Sequence, residues 1–140
     1  MSDRLIYLST FDRYREAGPF LLRVFVGFVL VYGTQDNVFN HERMLEFRDF
    51  LGAHGFPRPL ACAYLSAYAQ FTAGILITLG CLTRWAAVAM IINFIVALVM
   101  VHRSLPFSAN IAPLAMLVGA LFLLLYGAGR ASVDARLRGR

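Results

Sequence analysis

Residues 85–101 read WAAVAMIINFIVALVMV, a run whose one strongly polar side chain is Asn93. Its length approaches the roughly 20 helical residues that cross about 30 Å of hydrocarbon at 1.5 Å per residue. Three further apolar runs occur at about Pro19–Val38, Leu60–Gly80 and Ala109–Tyr126, so that four segments of 17 to 21 residues are joined by short polar stretches. A membrane span must satisfy its own backbone, which leaves helices or a closed barrel. Barrel strands alternate apolar and polar residues, and these runs are continuous. The expected fold is therefore an all-α membrane protein: four transmembrane helices in an up-down bundle, forming one domain over residues 1–140. The first apolar run follows 18 mostly polar residues and has no A-x-A type cleavage site after it, so it reads as a retained helix and not a signal peptide.

Composition agrees. Hydrophobic residues make up 59% of the chain and mean hydropathy is +0.65, against roughly 45–50% apolar residues in soluble domains. All 13 basic residues are Arg. If both termini share a side, that side holds Arg4, Arg13, Arg15, Arg84, Arg130, Arg136, Arg138 and Arg140, and the opposite side holds only Arg43, Arg48, Arg58 and Arg103. The positive-inside rule then puts both termini in the cytoplasm. The pI near 9.8 follows from this bias. The tail GRASVDARLRGR is too short for a nucleic-acid stripe and is suited to anionic headgroups. Cys62 and Cys81 lie at opposite ends of the second span, about 28 Å apart along a helix, far beyond the ~5.5 Å between Cα atoms of a disulfide.

Between spans one and two, residues 41–54 form a short amphipathic helix with Met44, Phe47 and Leu51 on one face. Asn40 can cap its start and Gly55 its end, and the helix is expected as a lid over the outer ends of the bundle. Before span one, Leu5, Leu8, Phe11 and Tyr14 fall roughly on one face, as in a short helix on the membrane surface. Small residues spaced for close helix approach in lipid mark packing faces: Ala63, Ala67 and Gly74 on span two, Ala89 and Ala97 on span three, and Ala115 and Gly119 on span four. They also leave room for a homo-oligomer.

Two of those faces carry an amide near mid-membrane, Gln70 and Asn93. An unpaired amide in hydrocarbon costs several kcal/mol, so each needs a partner. Either they bond one another or nearby groups as interhelical glue, or they bond the carbonyl or hydroxyl groups of a buried ligand. Arg23, about one turn inside span one, either snorkels to headgroups or is internal, fixing spans together or holding an anion. Up-down topology brings Asp36, Asn37, Tyr68, His102, Arg103 and Asn110 to one end, where Asp36 can pair with Arg103 and His102 can titrate near neutral pH. His41, His54 and His102 lack metal-ligand spacing, and a lone His is weak support for haem. No nucleophile–base pair or phosphate loop is present, so no catalytic residue is assigned.

The stretches LLRVFVGFVLVYG, FPRPLACAYLSAYAQFTAGILITLGCLTRWAA, MVHR and GAGRASVDARL together resemble the DoxX family over roughly residues 18–137. The turn Gly80-Cys81-Leu82-Thr83-Arg84 and the segment Gly129 to Asp134 are the most specific parts. The resemblance implies a small four-helix bacterial inner-membrane protein. Some relatives are associated with thiosulfate:quinone oxidoreductases or terminal oxidases, others with oxidoreductase complexes that handle oxidative stress. This chain has Tyr32-Gly33 where many members have His-Gly, and Gln70 where many have Glu. A proton relay through that carboxylate does not carry over, whereas a hydrogen-bonding role does. No residue of the chain carries an electron, so redox chemistry would belong to a bound quinone, more readily than a haem, or to an oxidoreductase partner subunit.

Three readings follow. The first is a redox-associated membrane subunit binding a quinone-like ligand through Gln70 and Asn93, with Asp36, His102 and Arg103 at the outer mouth. The second is a non-enzymatic scaffold that recruits a partner. The third, weaker, is a small-molecule transporter with the amides lining its path.

Overall fold

The computed structural model describes residues 9–139. It has four long helices, α1 (Ala17–Phe39), α3 (Pro59–Leu79), α4 (Thr83–Met100) and α5 (Phe107–Tyr126), each long and apolar enough to cross a membrane. They are joined by the shorter α2 (His41–Ala53) and followed by α6 (Val133–Arg138). The four expected spans are present with ends shifted by at most two residues. Residues Ser9–Tyr14 form a short 3-10 helix; Leu5 and Leu8, expected on the face of a surface helix, lie outside the described residues.

Helix ends follow from local chemistry. Pro19 sits in the first turn of α1, where its missing N–H would have had no intrahelical partner. Asn40, extended at φ −124°, ends α1, and its side chain accepts from the Glu42 amide at 2.9 Å to start α2. At the other end of α2, Gly55 (φ +77°) donates to Gly52 O and Phe56 to Leu51 O, a Schellman turn closed by the Leu51–Phe56 contact. Gly80 ends α3 in the same way, with Cys81 N–H donating to Leu76 O at 2.9 Å.

The bundle is a ring. α1 packs most extensively on α3, α4 on α5, and α3–α4 and α1–α5 close the circle. This leaves α1 and α4 on one diagonal and α3 and α5 on the other. α1 and α3 approach through facing glycines: a Cβ on Gly27 would lie 2.7 Å from Gly74 O, and one on Gly74 would lie 2.9 Å from Gly27 O. The expected small-residue face of span two is confirmed, with Ala63, Ala67 and Gly74 all buried. On span four Gly119 is buried as expected, and a Cβ there would lie 3.0 Å from Val26 Cγ2, but the other expected positions on spans three and four need correction. Ala89 and Ala115 are exposed and Ala97 is half-buried, while α4 turns Ala86, Ala87, Met90 and Phe94 inward.

Packing is uneven along the bundle axis. The main core joins Val26, Leu30, Ala73, Ile77, Ala87, Met90, Phe94, Met116, Ala120 and Leu123, running from the half nearer the chain termini (the terminal end) to just past the middle of the bundle, and Met44, Leu51, Ala63 and Ala67 form a second, smaller cluster beyond it. Toward the opposite, distal end the inward register of α5 loses its cover: Ala112 and Ala109, one and two turns before Met116, are exposed. Pro113 lies between them and Met116. It cannot donate to the Ala109 carbonyl, and a proline there bends a helix.

The amphipathic face of α2 is as expected, with Met44 and Leu51 buried against Ala63 and Ala67. Its position differs from a lid over the whole bundle. The turn at Gly55 folds α2 back along the first turns of α3, so it packs on α3 and α1.

Candidate functional site

Gln70 and Asn93 sit near the middle of α3 and α4, which pack side by side. The structure brings them together through a residue the sequence reading missed. Ser66 Oγ donates to Asn93 Oδ1 at 2.8 Å, and Gln70 Nε2 donates to Ser66 Oγ at 3.0 Å. Ser66 lies one turn before Gln70, so an i, i+4 polar pair was the available signal. All three side chains are half-buried. Among the described residues, Gln70 Oε1 and Asn93 Nδ2 have no partner, so the cluster keeps one acceptor and one donor for another molecule.

The remaining candidate residues lie elsewhere. Tyr68, two positions from Gln70 and so about 200° around α3, is 46% exposed and stacks on Tyr64 with centroids 6.0 Å apart. Asp36 is exposed and Asn37 half-buried in the last turn of α1. Arg103 is exposed on the α4–α5 turn. The expected Asp36–Arg103 ion pair does not form: among the described residues the ion pairs are Arg43–Glu46 and Arg48–Asp49. The reason is topological, because α1 and α4 share an end but face across the diagonal of the ring. His102 and Asn110 are half-buried. Asn110 Nδ2 donates to Leu105 O and Pro106 O at 3.3 Å each. His102 Nδ1 and Asn110 Oδ1 are buried without partners among the described residues, a condition few native polar atoms tolerate. His102 is nine residues beyond Asn93, about 13 Å along the helix, so the amides and the α4–α5 turn form two levels of polar groups.

The terminal end is a second polar centre. Arg23 does not snorkel. It is 2% exposed, and its guanidinium donates to Ala128 O and, at 2.7 Å, to Ala131 O. Of the internal roles open to it, fixing elements together is the one observed. The Asp134 carboxylate accepts from the Leu82 and Thr83 amides at 2.8 and 3.0 Å, capping α4. Asp134 N–H donates to Gly80 O at 2.9 Å. The two motifs that carry the sequence resemblance, residues 80–84 and 129–134, are therefore the two sides of one junction. Asp134→Ala should free both α4 amides and lower stability by about 1–2 kcal/mol, read as a drop in thermal midpoint in detergent; an unchanged midpoint would show the cap to be dispensable.

Compared with known proteins, the chain matches the DoxX family model over residues 18–103, from the start of α1 to the α4–α5 turn and well over half the sequence. The match stops before α5 and the Gly129–Asp134 segment. No curated protein and no solved structure matches.

Proposed function

The chain belongs to the DoxX family, and on that premise we propose that it is a bacterial inner-membrane subunit of a respiratory or redox system, holding a quinone-like lipophile in the distal half of the bundle. The supporting observation is unused hydrogen-bonding capacity at the distal edge of the main core, beside Phe94. Gln70 Oε1 and Asn93 Nδ2 are without partners among the described residues, and the inward register of α5 nearby is uncovered at Ala109 and Ala112. In this reading Asn93 donates to a ligand carbonyl, Gln70 accepts from a ligand hydroxyl, and Ser66 holds both amides in place. His102 and Asn110, with Asp36, Asn37 and Arg103, belong to the rim, while Tyr68, on the other side of α3, lies outside it. The chain supplies binding and orientation, and electrons pass to a partner oxidoreductase subunit. The Arg bias toward the terminal end supports an orientation with both termini in the cytoplasm, with residues 1–140 acting as one membrane domain.

The two bonds through Ser66 favour a second reading, in which the cluster is interhelical glue and the protein a scaffold. Mild detergent purification followed by lipid extraction and mass spectrometry separates the two. A ligand site predicts a stoichiometric quinone that is lost in Gln70→Ala and Asn93→Ala while the thermal midpoint holds. Glue predicts an empty wild-type protein, and a Ser66→Ala variant destabilised by about 1 kcal/mol.

A further inference from the structure

Residues 127–132 connect α5 to α6 at the terminal end, and three of their carbonyls are bonded to side chains of the protein. Ala128 O and Ala131 O accept from Arg23, and Gly129 O accepts from Ser132 Oγ at 2.6 Å. Among the described residues the amides of Ala128, Gly129, Arg130 and Ala131 reach no acceptor. Beside this segment lies a cleft of about 410 Å³, lined in part by Arg84, Arg138, Ala128 and Gly129, within the roughly 300–1,000 Å³ usual for ligand sites. Asp134 also lines it, but both carboxylate oxygens are occupied by the α4 amides, which offset its charge. The guanidinium of Arg84 makes one long bond, 3.3 Å to Leu125 O. Arg138 is exposed.

The cleft has an apolar lip. Leu82, Trp85 and Leu137 line it and are 55%, 74% and 62% exposed. Trp85 stands in the first turn of a membrane span, the level at which tryptophan meets headgroups. Two guanidiniums and the unpartnered amides of Ala128 and Gly129, which line the cleft, are suited to a phosphate oxyanion. The lip extends that preference to a phosphate carrying acyl chains, since Leu82, Trp85 and Leu137 stand where the apolar part of a lipid begins below its headgroup.

We propose that this cleft binds the phosphodiester headgroup of one anionic phospholipid, between Arg84, Arg138 and the amides of Ala128 and Gly129, with the acyl chains passing over Leu82, Trp85 and Leu137. The site lies at the terminal end, about 12 Å along α4 from Asn93, and does not depend on the quinone reading.

Native mass spectrometry of the detergent-solubilised full chain, titrated separately with phosphatidylglycerol, phosphatidylcholine and inorganic phosphate, tests it. Wild type should retain one phosphatidylglycerol in preference to phosphatidylcholine. Arg138→Gln, at a side chain with no hydrogen bond among the described residues, should weaken retention about tenfold, and Arg84→Gln/Arg138→Gln should reduce it to the phosphatidylcholine level. Trp85→Ala should weaken both lipids. Equal retention of the two lipids by wild type, or full retention by Arg138→Gln, would overturn the site. Displacement of the lipid by inorganic phosphate at equal concentration would make it a free-anion site and overturn the lipid assignment.

Discussion

Arg23→Leu should lower stability by about 3–5 kcal/mol and release the segment that follows α5. The guanidinium makes two charge-assisted hydrogen bonds, to Ala128 O and Ala131 O. Each such bond contributes about 1.5–3 kcal/mol, and removing the donor strands a carbonyl that has lost its water. Leucine fills part of the volume but offers no donor. The substitution also acts on the α3–α4 junction, because Gly80 packs against the guanidinium and against Ser132. Arg23→Lys should recover only part of the loss, since an ammonium is a point charge and lacks the planar fork that reaches two carbonyls. Two measurements read the effect: the thermal midpoint in detergent, and limited trypsin cleavage after the exposed Arg130. Both should change in Arg23→Leu. A variant that melts and resists trypsin like wild type would show that the buried cation is not what holds the terminal end together.

Gly27→Ala should be nearly as costly, by about 3 kcal/mol, through overpacking. The new methyl would lie 2.7 Å from Gly74 O and 2.9 Å from Thr78 N. Both are backbone atoms, so no side-chain rotation relieves the clash, and α1 must move away from α3. Gly74→Ala meets Val31 Cγ2 at 2.8 Å and Gly27 O at 2.9 Å and should act similarly. The double substitution should cost less than the sum, because one separation accommodates both methyls. Gly33→Ala is the control: a methyl there would meet nothing within 4 Å, and alanine favours the helix by roughly 1 kcal/mol. Equal melting of Gly27→Ala and Gly33→Ala would mean that the helices do not pack this closely.

Residues 85–101 needed no tertiary information to be recognised as a span, because hydrocarbon accepts only backbones that bond to themselves and the length of an apolar run reports that directly. The same holds for the amphipathic face of α2, where Met44 and Leu51 are buried as their spacing requires, and for Asn40 and Gly55 at its ends. Gln70 and Asn93 were identifiable as residues in need of partners, and Ser66 was missed because a single hydroxyl in an apolar run is cheap to place. Two matters depended on which helices are neighbours. Asp36 and Arg103 share an end and have opposite charges, yet stand across the diagonal of the ring. Ala89 and Ala115 have the spacing of a packing stripe and face outward, because small residues permit close approach without naming a partner.

The terminal junction shows the division most plainly. Arg23, residues 80–84 and residues 129–134 each stand out along the chain, and the polar cost of burying an arginine already demanded partners for it. Those partners are carbonyls more than a hundred positions away. Local pattern records how much a residue must be compensated, since that is a property of its own atoms and the solvent. Which group compensates it is set by the order in which the helices close, and that order exists only in the folded bundle.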